Sequence, residues 1–180
     1  MAASFIQVGC GGWGARWVSE FMPPHVASGR ARPLAVVDIR PEVAAAAAAA
    51  YRLPPEGAFT DAAAAFERHG DADFAIVVVP PAGHESIVSL AVAAGMHILS
   101  EKPIADTMAG CARVYGRVRA AGLKMAVTMS HRFDQDKQTL SREVASGRYG
   151  RLNYVIGRNT WNCRRRGDWG EFRYDIADPL

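Results

Sequence analysis

Long apolar runs are missing from this chain. Its 180 residues are 49% hydrophobic, yet no stretch reaches the roughly 20 residues that a membrane-crossing helix needs. Met1 to Ser4 shows no basic region followed by a long apolar one, so no secretory signal is visible. Cysteine is scarce: Cys10, Cys111 and Cys163 stand far apart, with no C-x-x-C spacing. That excludes a disulfide framework and argues against a zinc site. A formal net charge of +3 is too small to point to nucleic acid. The expectation is a cytoplasmic globular protein without a metal, a nucleic-acid partner or a membrane partner, and one core of ordinary size.

The stretch Val8-Gly9-Cys10-Gly11-Gly12-Trp13-Gly14 carries the first positive signal. It follows the short apolar run Phe5 to Val8 and opens a segment, Ala15 to Phe21, that can be helical. Gly9, Gly11 and Gly14 read G-x-G-x-x-G. In a dinucleotide site the first glycine permits a tight turn, the second lets backbone approach a pyrophosphate, and the third packs helix against strand. The helix N-terminus adds unpaired N–H groups and partial positive charge. An ordinary glycine turn would show the same letters; the place between first strand and first helix favours the nucleotide.

Downstream, Pro33 to Asp38 reads as a second strand, after a break at Met22-Pro23-Pro24-His25. Asp38 lies 24 residues beyond Gly14, close to where an acid accepts hydrogen bonds from an adenosine ribose. It could also cap the following helix. A carboxylate here repels a 2′-phosphate and favours NAD; Arg40 leaves NADP open. Pro41 and Glu42 start a surface helix through the alanines Ala44 to Ala50. Gly57 to Phe59 is a short third strand, and Thr60 or Asp61 caps a helix to about His69. Asp73 to Val79 is a strand apolar on both faces, ended by Pro80-Pro81. A helix over Ala82 to Ala94, a strand Met96 to Ser100, a helix Met108 to Ala121 and a strand Lys124 to Met129 complete the alternation. It predicts an α/β fold with a doubly wound parallel sheet.

Glu101-Lys102-Pro103 follows the fifth strand. A lysine there can donate to a carbonyl or alcohol oxygen and take part in proton transfer when desolvated. A surface Glu–Lys pair beside a proline turn is the plainer alternative.

Together these motifs resemble the glucose–fructose oxidoreductase and inositol dehydrogenase family, Gfo/Idh/MocA. The matching residues are Gly9 to Gly14, Asp38, Val77 to Pro80, His84, and Ala94 through Pro103. Ser130-His131-Arg132-Phe133 and the glycine turn Ser146 to Leu152 extend the likeness. The resemblance implies a Rossmann domain over 1–130 and the beginning of a second α/β domain over 131–180. It implies hydride transfer between NAD (or NADP) and a secondary alcohol of a sugar or polyol. Gly9, Gly11, Gly12, Trp13 and Gly14 would shape the pyrophosphate site, and Asp38 would bind the ribose. Pro80 and His84 would border the cofactor, and Glu101 and Lys102 would lie by the nicotinamide. Lys102 would bond the reacting hydroxyl as the catalytic residue, and Arg132 would help build the floor between domains. His84 could instead face solvent from the first turn of its helix. Pro81 departs from the asparagine common in the family. The family's Asp and acid–base His come from a second domain that 180 residues cannot complete, so a truncated, inactive dinucleotide-binding module is the alternative expectation.

In the tail, Asp134 to Ser146 reads as a helix and Gly150 to Trp161 as an extended strand whose open edges invite pairing with another chain. Arg164-Arg165-Arg166 beside Cys163 reads as a solvated loop. A methyl transferase shares the glycine turn and the acid but not Glu101-Lys102-Pro103. The short-chain dehydrogenase pattern Tyr-x-x-x-Lys fails because Arg119 follows Tyr115 at that spacing.

Overall fold

The computed structural model describes residues 2–158. Expectations for Trp161 and for Cys163 to Arg166 fall outside them. The chain divides after Met129 into two compact units.

The first unit is built on a six-stranded parallel sheet ordered β3-β2-β1-β4-β5-β6. The strands are β1 (Ala3–Val8), β2 (Ala31–Val37), β3 (Ala58–Phe59), β4 (Phe74–Val77), β5 (His97–Ser100) and β6 (Met125–Val127). The order reverses between β1 and β4, leaving a crevice outside their carboxyl ends. The helices are α1 (Trp13–Arg16), α2 (Pro23–Ala27), α3 (Pro41–Ala50), α4 (Ala62–Arg68), α5 (Pro81–Ala93) and α6 (Met108–Ala120).

Alternation along the central strands explains why helices cover both faces. Successive strand side chains point to opposite sides. Ile6, Val37 and Val77 therefore join the core under α4, α5 and α6, built from Phe66, Val88 and Val114. Their neighbours Phe5, Val36 and Ile76 join the other core, with Trp17, Val18, Ala47 and Tyr51. Both cores exclude water from these strands, which is why their sequences are largely apolar on both faces.

Local chemistry sets the ends. The Asp61 side chain accepts from the Ala64 amide at 2.8 Å and caps α4. Thr107 does the same for α6 through the Gly110 amide at 3.0 Å. Gly95 and Gly122, just past α5 and α6, take φ of 77° and 66°, a left-handed bend that glycine adopts without a Cβ penalty.

Three expectations are corrected. Met22-Pro23-Pro24-His25 is no break: Pro23 and Pro24 open α2, where a missing N–H costs nothing. The alanine helix α3 is a surface helix on one side only, because Ala44, Ala47 and Ala48 are buried against the sheet. The extended strand expected from Gly150 does not form among the described residues, since 151–158 carry no regular structure. Leu152, Tyr154 and Ile156 alternate as a strand would but are exposed, and a strand without a ladder partner lacks the hydrogen bonds that define it. The second unit instead shows a 3-10 turn, Ser130–Phe133, and α7 (Gln135–Ala145).

Among the described residues no helix is long and apolar enough to cross a membrane. No cluster of His, Cys, Asp or Glu among them could hold a metal ion.

Candidate functional site

The turn between β1 and α1 is held from below by a buried glutamine. Gln7, fully buried, donates from Nε2 to the carbonyls of Gly9 and Gly14, both at 3.1 Å, and accepts from the Tyr51 hydroxyl at 2.7 Å. The two carbonyls bracket the turn, so one side chain fixes its closure. Gly9 has φ of 88°, and a Cβ there would run into the Val78 carbonyl oxygen. A Cβ on Gly14 would strike the Gly9 carbonyl oxygen. These two glycines thus let turn, strand and helix touch. Gly12, at φ 50°, has open space where its Cβ would be.

Asp38 closes the turn from the end of β2. Its Oδ2 accepts from the amides of Cys10 at 2.9 Å and Gly11 at 3.0 Å, and its Oδ1 accepts from the Arg40 amide at 3.1 Å. It does not cap α3, whose N-cap is Arg40 without a side-chain bond. Burial alone would raise the Asp38 pKa. The three amide donors and the Arg40 guanidinium, 3.6 Å away, outweigh it and hold the carboxyl below its ordinary value. The same carboxylate, after burial itself, pushes the Cys10 thiol up to about 12, which keeps it protonated and unreactive. A carboxylate oxygen offers about two acceptor sites, so Oδ1 keeps one for an incoming hydroxyl. The Arg40 side chain lies across Gly11, where a Cβ would meet its guanidinium.

Glu101 follows β5 and is buried although charged. Its Oε1 accepts from the indole nitrogens of Trp13 at 2.8 Å and Trp17 at 3.1 Å, and its Oε2 accepts from the Lys102 amide at 3.2 Å. No ion pair joins Glu101 to Lys102 among the described residues, so the plain surface-pair reading does not hold. The Lys102 side chain is exposed, and the Lys102–Pro103 peptide is cis.

His84 is buried too, not turned to solvent. Its Nε2 lies 2.8 Å from the Val79 carbonyl oxygen and its Nδ1 lies 3.2 Å from the Ser100 hydroxyl. Burial, the largest influence, holds its pKa below the ordinary value. The ring ties the end of β4 to the end of β5 behind Pro80, which is exposed. Gly9 to Gly14, Asp38, Pro80, Glu101 and Lys102 all follow the carboxyl ends of β1, β2, β4 and β5 in one unit. Arg132 lies outside that unit, exposed in the 3-10 turn of the second.

The sequence reading missed Gln7, Trp17 and Ser100. Gln7 had a signal, a polar residue inside an apolar strand. Trp13 and Trp17 also had one, since a spacing of four puts two side chains on one helix face. Ser100 had none.

The turn fits a dinucleotide. Among the described residues the Gly12 and Trp13 amides have no acceptor, the glycines leave room for phosphate oxygens, and an anionic hydroxyl acceptor stands alongside. A parallel sheet in the order 3-2-1-4-5-6, with this turn and this acid, defines a Rossmann dinucleotide-binding protein. Residues 5–129 match the family described as "Oxidoreductase family, NAD-binding Rossmann fold", and the chain belongs to that Gfo/Idh/MocA family.

Among its relatives, the uncharacterized protein y4oX of Sinorhizobium fredii is 46% identical over 180 residues, which are all of this chain and 50% of that protein. Inositol 2-dehydrogenase of Pseudomonas fluorescens is 34% identical over 120 residues, 66% of this chain and 35% of that enzyme. The structure is similar to myo-inositol dehydrogenase from Lactobacillus casei in complex with NAD(H) and myo-inositol. There the TM-score is 0.73 and the identity 27%, covering 83% of this chain and 43% of that one. The chain spans about half the length, or less, of these relatives.

Proposed function

We propose that this chain belongs to an NAD-dependent dehydrogenase acting on a secondary alcohol of a sugar or polyol, with residues 1–130 as its cofactor domain and 131–180 as part of its substrate domain. The observation that carries the reading is the first turn: two amides without acceptors beside a carboxylate with one acceptor site left. The relatives named for inositol oxidation support the substrate class.

The cofactor, when bound, supplies or accepts the hydride. The rest belongs to the chain's own residues. The amides of Gly12 and Trp13 bind the pyrophosphate, and Oδ1 of Asp38 accepts one ribose hydroxyl. The Asp38 charge disfavours a 2′-phosphate, so the preference is NAD over NADP; Arg40 tempers it. Lys102 donates a hydrogen bond from its ammonium to the substrate oxygen, where negative charge grows in the transition state. His84 acts from behind, holding the strand ends that carry Pro80 and Glu101.

The test pairs calorimetric NAD binding with NAD reduction over a panel of polyols and sugars. Asp38→Ala loses a charge-assisted hydrogen bond of about 1.5–3 kcal/mol, roughly 10- to 150-fold in NAD affinity. Lys102→Met keeps NAD affinity and lowers any turnover by about 100- to 1,000-fold, the usual effect of removing one such donor. Equal loss of NAD binding in both variants contradicts this division of roles.

A further inference from the structure

We infer that Glu101 is a positioning residue that couples the first turn to the lysine loop. The inference rests on the dinucleotide reading above and goes beyond it, because it assigns Glu101 no contact with the cofactor.

Three observations carry it. First, the carboxylate is buried at 9% exposure and forms no ion pair among the described residues. Its charge is met by three N–H donors instead: the two indoles on Oε1 and the Lys102 amide on Oε2. Charge-assisted bonds of this kind are roughly twice as strong as neutral ones, and a buried charge that lost them would be costly. The carboxylate therefore links the two indoles to the Lys102 backbone. Second, the donors come from the two ends of the site. Trp13 follows Gly12 directly, and its own backbone amide is one of the two without an acceptor. Lys102 lies 89 positions further along and follows β5. Third, the two partners differ in freedom. Trp17 is buried at 6% exposure, whereas Trp13 is 47% exposed, with the Arg16 guanidinium 4.7 Å above its ring. Trp17 anchors Glu101 to the core; Trp13 is the part that can shift. A phosphate drawn to the Trp13 amide pulls on the residue whose indole holds Oε1. That pull passes through one carboxylate to the Lys102 backbone.

The probe is ADP, which carries the adenosine and pyrophosphate but no nicotinamide riboside, so it does not reach Lys102 by itself. The readout is the backbone amide resonance of Lys102, with the indole N–H resonances of Trp13 and Trp17, followed by NMR on the full chain to saturation. In the wild type all three resonances move as ADP binds. In Glu101→Ala, at saturating ADP, the Lys102 shift falls by at least half while the amides of the glycine turn still move. Glu101→Gln keeps an acceptor for the indoles and covers the case in which the alanine variant does not fold. Its indole resonances respond nearly as in wild type, and its Lys102 response is reduced. ADP binding that leaves the wild-type Lys102 amide still overturns the inference, as does an undiminished Lys102 response in either variant. No ADP binding at all overturns both this inference and the dinucleotide reading, whereas a silent Lys102 with ADP bound overturns this inference alone.

Discussion

Asp38 ties the glycine turn to the stability of the whole unit, because its carboxylate satisfies two loop amides. Its folded pKa lies below the ordinary 3.8. A group with a depressed folded pKa contributes stability that is full above the unfolded value and lost as pH falls through the folded one. Asp38→Asn is therefore less stable than wild type at neutral pH, and the gap narrows as pH drops below about 3.8. Urea unfolding of the two proteins from neutral pH downward measures it; a gap that does not depend on pH contradicts it. His84 behaves in the same sense for a different reason. Burial disfavours its charged form, so its ring stays neutral as pH falls past the ordinary 6.5. An NMR titration of the ring places its midpoint below 6.5, and a midpoint at or above that value contradicts the buried arrangement. At this scale the sequence was only partly legible. Asp38 could be picked out by residue type and spacing, as the acid at the end of β2 beside the glycine turn. The capture of Glu101 by Trp13 and Trp17 joins groups 84 and 88 positions apart, and neither local propensity nor periodicity carries a contact of that range.

Elements were the most legible, where periodicity and caps agree. β4 is apolar on both faces because cores lie on both sides, and α5 and α6 are followed by left-handed glycines, Gly95 and Gly122. The misses share a cause: a residue can suit two local states, and packing chooses. Proline breaks a helix interior but opens one at its first position, hence α2. The segment from Ala15 to Phe21 is helical as read, α-helical to Arg16 and π-helical over Trp17–Phe21, with the Met22 amide bonding the Trp17 carbonyl at 3.0 Å. Such turns gather at functional sites, and this one follows the nucleotide turn. Capping gives a control at this scale. Thr107→Ala removes the α6 cap, on a helix that carries no site residue. It costs about 0.5–2 kcal/mol in chemical denaturation and leaves NAD affinity unchanged in calorimetry. A loss of NAD binding there would mean that the site responds to stability in general and not to its own residues.

For the whole molecule, topology gathers residues from distant parts of the chain. The strand order reverses at β1 and β4, and parallel strands end on one side, so loops after β1, β2, β4 and β5 meet at one crevice. This was readable from the strict alternation of strands and helices, since right-handed crossovers leave few other arrangements. Family membership, carried by residues 5–129, rests on the same scaffold. Substrate recognition was less readable, since side chains that contact a substrate answer to its shape and not to any rule of folding.

In the proposed function NAD lies across the Gly9–Gly14 turn with its nicotinamide toward Lys102. A crystal structure determined with NAD decides this. The expected result is pyrophosphate oxygens on the Gly12 and Trp13 amides, a ribose hydroxyl on Oδ1 of Asp38, and the nicotinamide beside Lys102. A turn filled by the protein's own side chains, or NAD held elsewhere, would contradict it.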